Sequence, residues 1–109
     1  MPVSVEEDGY SLLPASYSLH QNYPNPFNPS TTIEFTLPDR SHIRLAVYNV
    51  IGQEVATLID EEVSAGTHRT TWDASGLPSG IYFVRIEAHS DRSVGANAFT
   101  ATKKMVLLR

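Results

Sequence analysis

The chain of 109 residues contains no cysteine, which excludes disulfide bonds, thiolate metal ligands and thiol nucleophiles. It also lacks any apolar run near the roughly 20 residues that a membrane-spanning helix requires. Basic residues are few, since eight Lys and Arg face twelve Asp and Glu, and the formal net charge is −4. A general nucleic-acid binder, which needs a basic face, is therefore a poor fit.

Helical periodicity is missing as well, and short runs of alternating apolar and polar residues take its place. One run sets Ile33, Phe35 and Leu37 on a single face, as a half-buried strand does. Residues 50–53 form a turn in which Gly52 can adopt positive φ, and 80–88 is apolar on both faces like a central strand. Polar connections are predicted at 60–66 and 89–95. The pattern predicts seven strands, at 17–21, 31–37, 42–49, 54–59, 67–73, 80–88 and 98–108.

Strands at this spacing predict an all-β fold, a seven-stranded antiparallel immunoglobulin-like β-sandwich without a disulfide. A partly closed barrel is the alternative. Residues 1–16 are predicted to be a flexible linker and residues 17–109 a single β-sandwich domain. The start of the chain lacks the basic and apolar regions of a signal peptide, so any export leader is expected upstream of it.

No residue pattern typical of catalysis or metal binding is present, and the sequence predicts no enzyme, no catalytic residue, no metal site and no cofactor. The four histidines are widely spaced and form no ligand motif, while Ser75 and Ser79 lie outside any nucleophile elbow. Structural calcium held by loop carboxylates is the weaker alternative. A carbohydrate-binding module also stays open, because exposed aromatic rings can stack on sugars, although Trp72 and Tyr82 are expected in the core. The candidate rings are Tyr10, Tyr17, Tyr23, Tyr48, Tyr82, Phe83 and Trp72.

A proline-rich stretch at 22–32 is the least ordinary part of the sequence. Residues that precede proline favour extended geometry, so this stretch should be a stiff loop that caps one end of the core. Tyr23 and Phe27 are expected to anchor the loop, with asparagine amides bonded to nearby backbone. Its first residues are Asn22, Tyr23, Pro24, Asn25, Pro26, Phe27, Asn28 and Pro29.

The second unusual segment is the basic, apolar stretch near residue 109. Its lysines could protect an exposed strand edge against misassociation. Alternatively, the segment could form a surface that another protein recognises by charge and shape, and this recognition could include strand pairing at the edge. The residues predicted for recognition are Lys103, Lys104, Met105, Val106, Leu107, Leu108 and Arg109.

The order and spacing of several segments over residues 19–109 resemble the C-terminal sorting domain of the type IX secretion system. The matching blocks are 22–29, 48–55, 66–68, 72–73, 77–83 and 103–106, whereas the loop at 89–97 is longer than is common in that family. The motif positions are Asn22, Pro24, Asn25, Pro26, Phe27, Asn28, Pro29, Gly52, Trp72, Leu77, Gly80 and Tyr82.

The resemblance implies a sandwich that acts as an address label on an upstream parent protein. An outer-membrane type IX translocon would recognise it in the periplasm, and a cell-surface thiol peptidase would cut upstream, between about residues 7 and 18, and join the parent to anionic lipopolysaccharide. The product would be secreted or held at the cell surface, without a membrane span of its own. Two alternatives stay open: an accessory carbohydrate-binding or adhesive module, and a structural immunoglobulin-like domain of the flagellar hook-capping protein, which the sequence resembles at 80–82.

Overall fold

The computed structural model describes residues 14–91 and 98–109, which form strands and no helix. The prediction of an all-β fold with seven strands is confirmed. The strands are β1 (Ser18–Leu19), β2 (Ser30–Leu37), β3 (Ser41–Tyr48), β4 (Glu54–Val63), β5 (Gly66–Asp73), β6 (Gly80–Ser90) and β7 (Phe99–Leu107).

The strands form two antiparallel sheets, one with the order β1-β2-β5 and one with the order β4-β3-β6-β7. The chain changes sheets between β2 and β3, between β4 and β5, and again between β5 and β6, so the two sheets enclose one core. This is an immunoglobulin-like β-sandwich. β6 lies between β3 and β7, which explains why its sequence is apolar on both faces.

The core lies between the sheets and follows the alternation of the sequence. Ile33, Phe35 and Leu37 of β2 are fully buried, and so are Ile43, Leu45 and Val47 of β3, as the pattern predicted. Trp72, the only tryptophan, is also buried. Side chains on the other face of each strand remain at least partly accessible, apart from Ala46.

The predicted polar connection at residues 60–66 is wrong in its first part, because β4 continues to Val63. β4 is an edge strand with one side open to water, and charged residues are tolerated there when opposite charges face them across the pair. His42 Nε2 lies 2.8 Å from Asp60 Oδ1, and Arg40 Nε lies 3.4 Å from Glu62 Oε1. Backbone pairing with β3 continues through this stretch to the Ser41–Val63 pair, and it extends the hairpin that the sequence pattern ended too early.

Two other boundaries differ from the prediction. β6 includes His89 and Ser90, which the sequence assigned to the loop 89–95. Asp91 follows as a turn residue, and the rest of that loop, 92–95, lies outside the described residues. β1 is shorter than the predicted 17–21. The His20 N–H still donates to Glu34 O, but beyond this bond the chain turns into the proline-rich loop. The predicted linker falls mostly on residues 1–13, which the structure does not describe. In the described ranges, no helix of membrane-crossing length and apolarity is found.

Candidate recognition surface

Four segments meet at one end of the sandwich, which we call the terminal pole. They are the cap loop (22–29), the turn 49–53 between β3 and β4, the loop 74–79 before β6, and residues 107–109. The Ala74 N–H donates to Pro29 O at 2.9 Å, and the Arg109 N–H donates to Ser79 Oγ at 2.9 Å. The blocks at 22–29, 48–55, 77–83 and 103–106, far apart in sequence, therefore converge here. The block at 66–68 lies at the opposite pole, where Gly66 pairs with Leu37.

The cap loop covers the outer edge of β7. Phe27 donates its N–H to Val106 O at 2.9 Å and accepts from the Leu108 N–H at 3.0 Å. The Val106 N–H donates to Asn25 Oδ1 at 2.9 Å, and Gln21 Nε2 donates to Lys104 O at 2.8 Å. The two unusual segments of the sequence are thus one hydrogen-bonded unit. A partner strand could pair with this stretch of β7 only by displacing the cap loop.

Phe27 anchors the cap loop in the core, as predicted. Its side chain is 2% exposed, and its ring centroid lies 5.7 Å from that of Trp72. Trp72 in turn meets Tyr82 edge to face at 5.6 Å, and the Tyr82 hydroxyl donates to Pro78 O at 2.7 Å. A tyrosine bonded in this way to the backbone just upstream is the tyrosine corner of immunoglobulin-like domains. One aromatic cluster, Phe27, Trp72 and Tyr82, therefore joins the cap loop, β5 and β6.

The prediction that Tyr23 also anchors the cap loop is wrong, because Tyr23 is 51% exposed. Tyr23 forms a backbone bridge with Thr32, which lies on the outer face of β2. Residues that oppose each other across an antiparallel pair project to the same face, so Tyr23 also points outward. The sequence pattern of the loop does not reveal this pairing.

Asparagine amides organise the inside of the cap loop, as predicted. Asn22 is buried, and its Nδ2 donates to Thr31 Oγ1 at 2.9 Å and to Pro24 O at 3.2 Å. The Thr31 hydroxyl also donates to Pro24 O, at 2.9 Å. The peptide bonds that precede Pro24, Pro26 and Pro29 are cis.

The stretch predicted for recognition, residues 103–109, divides between two environments. Met105 and Leu107 are fully buried in the core. Lys104, Leu108 and Arg109 are exposed, while Lys103 and Val106 are partly buried. Strand alternation separates Lys104 and Val106 from Met105 and Leu107, because successive side chains of β7 point to opposite faces of its sheet. Lys103 is on the same face as Met105 and is partly buried there. Met105 and Leu107 act in the structure as core residues, and the accessible surface is formed by the others.

The positive charges of the domain are also divided. Arg40, Arg44, Arg69 and Arg85 each lie within 4.0 Å of a carboxylate oxygen. Among the described residues, no carboxylate is within that distance of the three cations of 103–109, and Arg109 Nη1 donates instead to the Leu77 carbonyl at 2.9 Å. The unpaired cations are Lys103, Lys104 and Arg109.

Two carboxylates near the terminal pole are held by donors. Arg44 Nη2 donates to both oxygens of Glu54 at 2.7 Å, and this contact, together with the Thr57 hydroxyl, lowers the pKa of Glu54. The Ser75 hydroxyl and N–H both donate to Asp73 Oδ1, at 2.6 and 2.9 Å, and lower the pKa of Asp73. Neither carboxylate is therefore free to neutralise the unpaired cations.

These lowered pKa values predict a pH dependence of stability. In the folded state both carboxyls bind protons less readily than their unfolded counterparts, which titrate near pH 4. Their stabilising contribution is thus complete above about pH 4.5 and decreases as the pH falls through the folded pKa values. We expect the double variant Glu54→Gln/Asp73→Asn to be less stable than the natural chain at pH 7, and this difference to shrink at pH 3. Urea unfolding at both pH values measures the effect, and a pH-independent difference would contradict it.

The turn 49–53 carries a feature that the sequence analysis treated only as a turn. Val50 is 65% exposed and Ile51 is 74% exposed, although turns are usually polar. The signal was present in the sequence, as two adjacent aliphatic residues just before Gly52, whose φ is 86°. Gly52 takes this left-handed conformation without strain.

The aromatic candidates for sugar binding are dispersed. Trp72 and Tyr82 are buried, and Tyr17 stacks on Phe99 with ring centroids 5.3 Å apart. Tyr10 lies outside the described residues, and among the other candidate rings only Tyr23 is classed as exposed. Within residues 14–91 and 98–109, no three His, Asp or Glu side chains are grouped to hold a metal ion.

The described residues thus form a small immunoglobulin-like β-sandwich with a closed cap loop and unpaired cations at the end of its last strand. A profile described as "secretion system C-terminal sorting domain" matches residues 21–106, and the chain belongs to this family. The domain is a C-terminal sorting signal for type IX secretion, and it belongs to a family that is not an enzyme family. Its role implies export to the cell surface or the medium. A search of curated proteins found no match.

Proposed function

We propose that the outer-membrane type IX translocon recognises the folded domain at the terminal pole, through the accessible side chains near residue 109. Lys104, Leu108 and Arg109 are exposed there, and Lys103 and Val106 are partly accessible. Met105 and Leu107 support this surface from the core. In this proposal the domain acts as a docking surface for the translocon and performs no chemical step itself.

The observation that carries the proposal is the separation of paired from unpaired cations. Arg44 and Arg85 lie near the terminal pole, but Glu54 and Glu87 neutralise them, and Arg40 and Arg69 are paired farther away. Among the described residues, the three unpaired cations all belong to β7 or to the residue two positions beyond it. Exposed unpaired charges of one sign steer a partner of opposite charge and fix its orientation. A translocon surface with carboxylates would suit this pole.

Recognition through exposed side chains fits this edge better than the addition of a partner strand to β7. The outward backbone groups of Lys104, Val106 and Leu108 are already bonded to Gln21, Asn25 and Phe27. A partner strand would have to break these bonds before it could form its own. The proposed contact leaves the cap loop in place.

A further part of the proposal concerns the upstream segment. The cell-surface thiol peptidase would cut the parent free between about residues 7 and 18 and join its new end to anionic lipopolysaccharide. The acidic, Gly- and Ser-containing composition of that segment supports this, because cleavage requires a stretch that the protease can bind in extended form. A surface-attached parent whose last residue falls within 7–18, identified by mass spectrometry, is the expected product.

A reporter fused ahead of residues 1–109 in a type IX secreting cell tests the recognition surface. We expect Lys104→Glu/Arg109→Glu to leave most of the reporter in the periplasm, because two cations that meet the translocon become repulsive. The matched control is Arg40→Glu/Arg69→Glu, which makes the same charge change away from the terminal pole and should preserve export. Melting temperatures of both variants check that the fold is kept. Normal export of Lys104→Glu/Arg109→Glu would refute the proposed surface.

A further inference from the structure

The exposed aliphatic side chains of the domain are concentrated at the terminal pole. Among the described residues, five large hydrophobic residues are classed as exposed, and the four aliphatic ones lie at the turn 49–53 or at the adjacent ends of β6 and β7. The fifth, Tyr23, belongs to the cap loop but points outward beside the other sheet. Contiguous exposed apolar surface in a small domain usually marks a site of interaction. The four residues are Val50, Ile51, Ile81 and Leu108.

The turn that presents two of them is rigid. Asn49 Oδ1 accepts from the N–H groups of Ile51 and Gln53 at 3.1 and 3.0 Å, and the Asn49 N–H donates to Gln53 O at 2.9 Å. The Gly52 N–H adds a bond to Asn49 O at 3.0 Å. Val50 and Ile51 are therefore held outward by a closed set of hydrogen bonds. A partner that contacts them meets a preorganised surface and loses little binding energy to ordering the turn.

An apolar groove lies beside this turn. Its volume is about 520 Å³, which falls within the range of clefts that bury ligand groups, and its apolar lining comes from Val50, Ile51, Val55, Leu77 and Ile81. A smaller cavity adjoins it and shares Val50, with Phe83 on its wall. The two cavities share Asn49 and Val50, and we call them together the pole groove.

Polar groups that line the larger cavity are already engaged. Ser79 Oγ accepts from the Arg109 N–H, Pro78 O accepts from the Tyr82 hydroxyl, and the Asn49 side chain closes the turn. A small polar ligand would find few free groups to orient it. Apolar side chains projecting from a peptide fit such a lining better.

Unpaired positive charge borders the pole groove. Arg109 Nη1 is bonded to the carbonyl of Leu77, a lining residue, and Lys104 pairs in register with Phe83 on the adjoining wall. The nearby carboxylate of Glu54 is held by Arg44. The groove is thus apolar inside and basic at its rim, which selects a complementary acidic and apolar partner.

From this geometry we infer that the pole groove binds an extended peptide segment of the type IX export machinery, in which aliphatic side chains alternate with or flank a carboxylate. The aliphatic side chains pack against Val50, Ile51 and Ile81, while the carboxylate meets Lys104 or Arg109. This inference rests on the proposed function, because it adds a defined binding partner to the same pole. It gives the turn 49–53 a role that the basic strand end alone does not supply.

The same reporter separates this inference from the proposed function. We expect Val50→Ser/Ile51→Ser to reduce export by about tenfold, the effect of losing one well-packed apolar anchor. Both side chains are exposed, so the melting temperature should change little. The control, Tyr23→Ser, removes an exposed hydrophobic residue outside the groove and should be exported normally. If Val50→Ser/Ile51→Ser is exported normally while Lys104→Glu/Arg109→Glu is not, the groove inference fails and the proposed function survives.

Photo-crosslinking identifies the occupant. A photoreactive phenylalanine derivative at position 51 of the reporter should link to a translocon protein, at a peptide with aliphatic residues and an Asp or Glu within about three positions of each other, a reach set by the strand rise of about 3.3 Å per residue. Lys104→Glu should weaken that crosslink severalfold. Crosslinking to a second copy of this chain, to lipid, or to a basic segment would overturn the inference. Export of Lys104→Glu/Arg109→Glu at the normal level would instead refute the proposed function on which the inference rests.

Discussion

Phe27→Ala is expected to destabilise the domain by about 3–5 kcal/mol, the range measured for removing a buried aromatic ring. The ring is buried against Trp72, and its backbone joins the cap loop to β7, so the neighbouring side chains can collapse only partly into the space. A domain of this size has a free energy of unfolding of about 5–15 kcal/mol. The melting temperature should therefore drop by about 15 °C or more. Thermal denaturation followed by circular dichroism measures this change.

The matched control is Tyr23→Ala, which removes the other aromatic ring of the same loop. Tyr23 is exposed and contacts Arg69 at the surface, so its loss should change the free energy of unfolding by only about 0.5 kcal/mol. Equal destabilisation by both variants would show that the loop, and not the Phe27 ring, supports the core. A small effect of Phe27→Ala would contradict the role of the aromatic cluster in anchoring the cap loop.

Removal of residues 103–109 is expected to have the largest effect of all, the loss of cooperative unfolding. Met105 and Leu107 leave the core, Tyr82 loses its partner in β7, and the cap loop loses the edge that it covers. If the loss of each side chain is counted as a large-to-small core change, removing Met105 and Leu107 alone lowers the free energy of unfolding by about 4–10 kcal/mol. Calorimetry of the truncated chain should show no sharp transition. A retained transition within a few degrees of the natural one would refute this account of β7.

The truncation also limits what an export experiment can show. A truncated reporter that stays in the periplasm reports an unfolded domain as readily as a missing recognition surface, because one stretch serves both purposes. Substitutions of the exposed Lys104 and Arg109 leave Met105 and Leu107 in place. They are therefore the variants that separate recognition from folding.

Much of the fold could be predicted from local pattern. The period-two alternation in β2 and β3 indicated which residues are buried, because a strand with one wet face permits no other arrangement. The length and position of β4 could not be predicted in the same way. Asp60 and Glu62 look like loop residues in sequence, and only their backbone pairing with Arg44 and His42 of β3 makes them part of a strand.

Two of the segments that form the candidate site were singled out by the sequence, but their association was not. The sequence pattern singled out the cap loop and residues 103–109, since one is unusually rich in proline and the other is basic and apolar. It assigned the turn 49–53 no binding role, because the exposure of Val50 and Ile51 depends on hydrogen bonds made by Asn49. The pole groove requires residues from two separate connections and was not predictable from either one.

The sequence by itself determined the β-rich class of the fold, the buried faces of its main strands and its resemblance to the sorting-domain family. These properties follow from side-chain periodicity and from short motifs, which are local along the chain. Only the tertiary structure decided that the cap loop seals the edge of β7, that Tyr23 faces water while Phe27 does not, and that the cations of residues 103–109 lack carboxylate partners within the described chain. Each of those outcomes depends on which distant segments meet, and pairing between distant segments is fixed by packing of the whole sandwich.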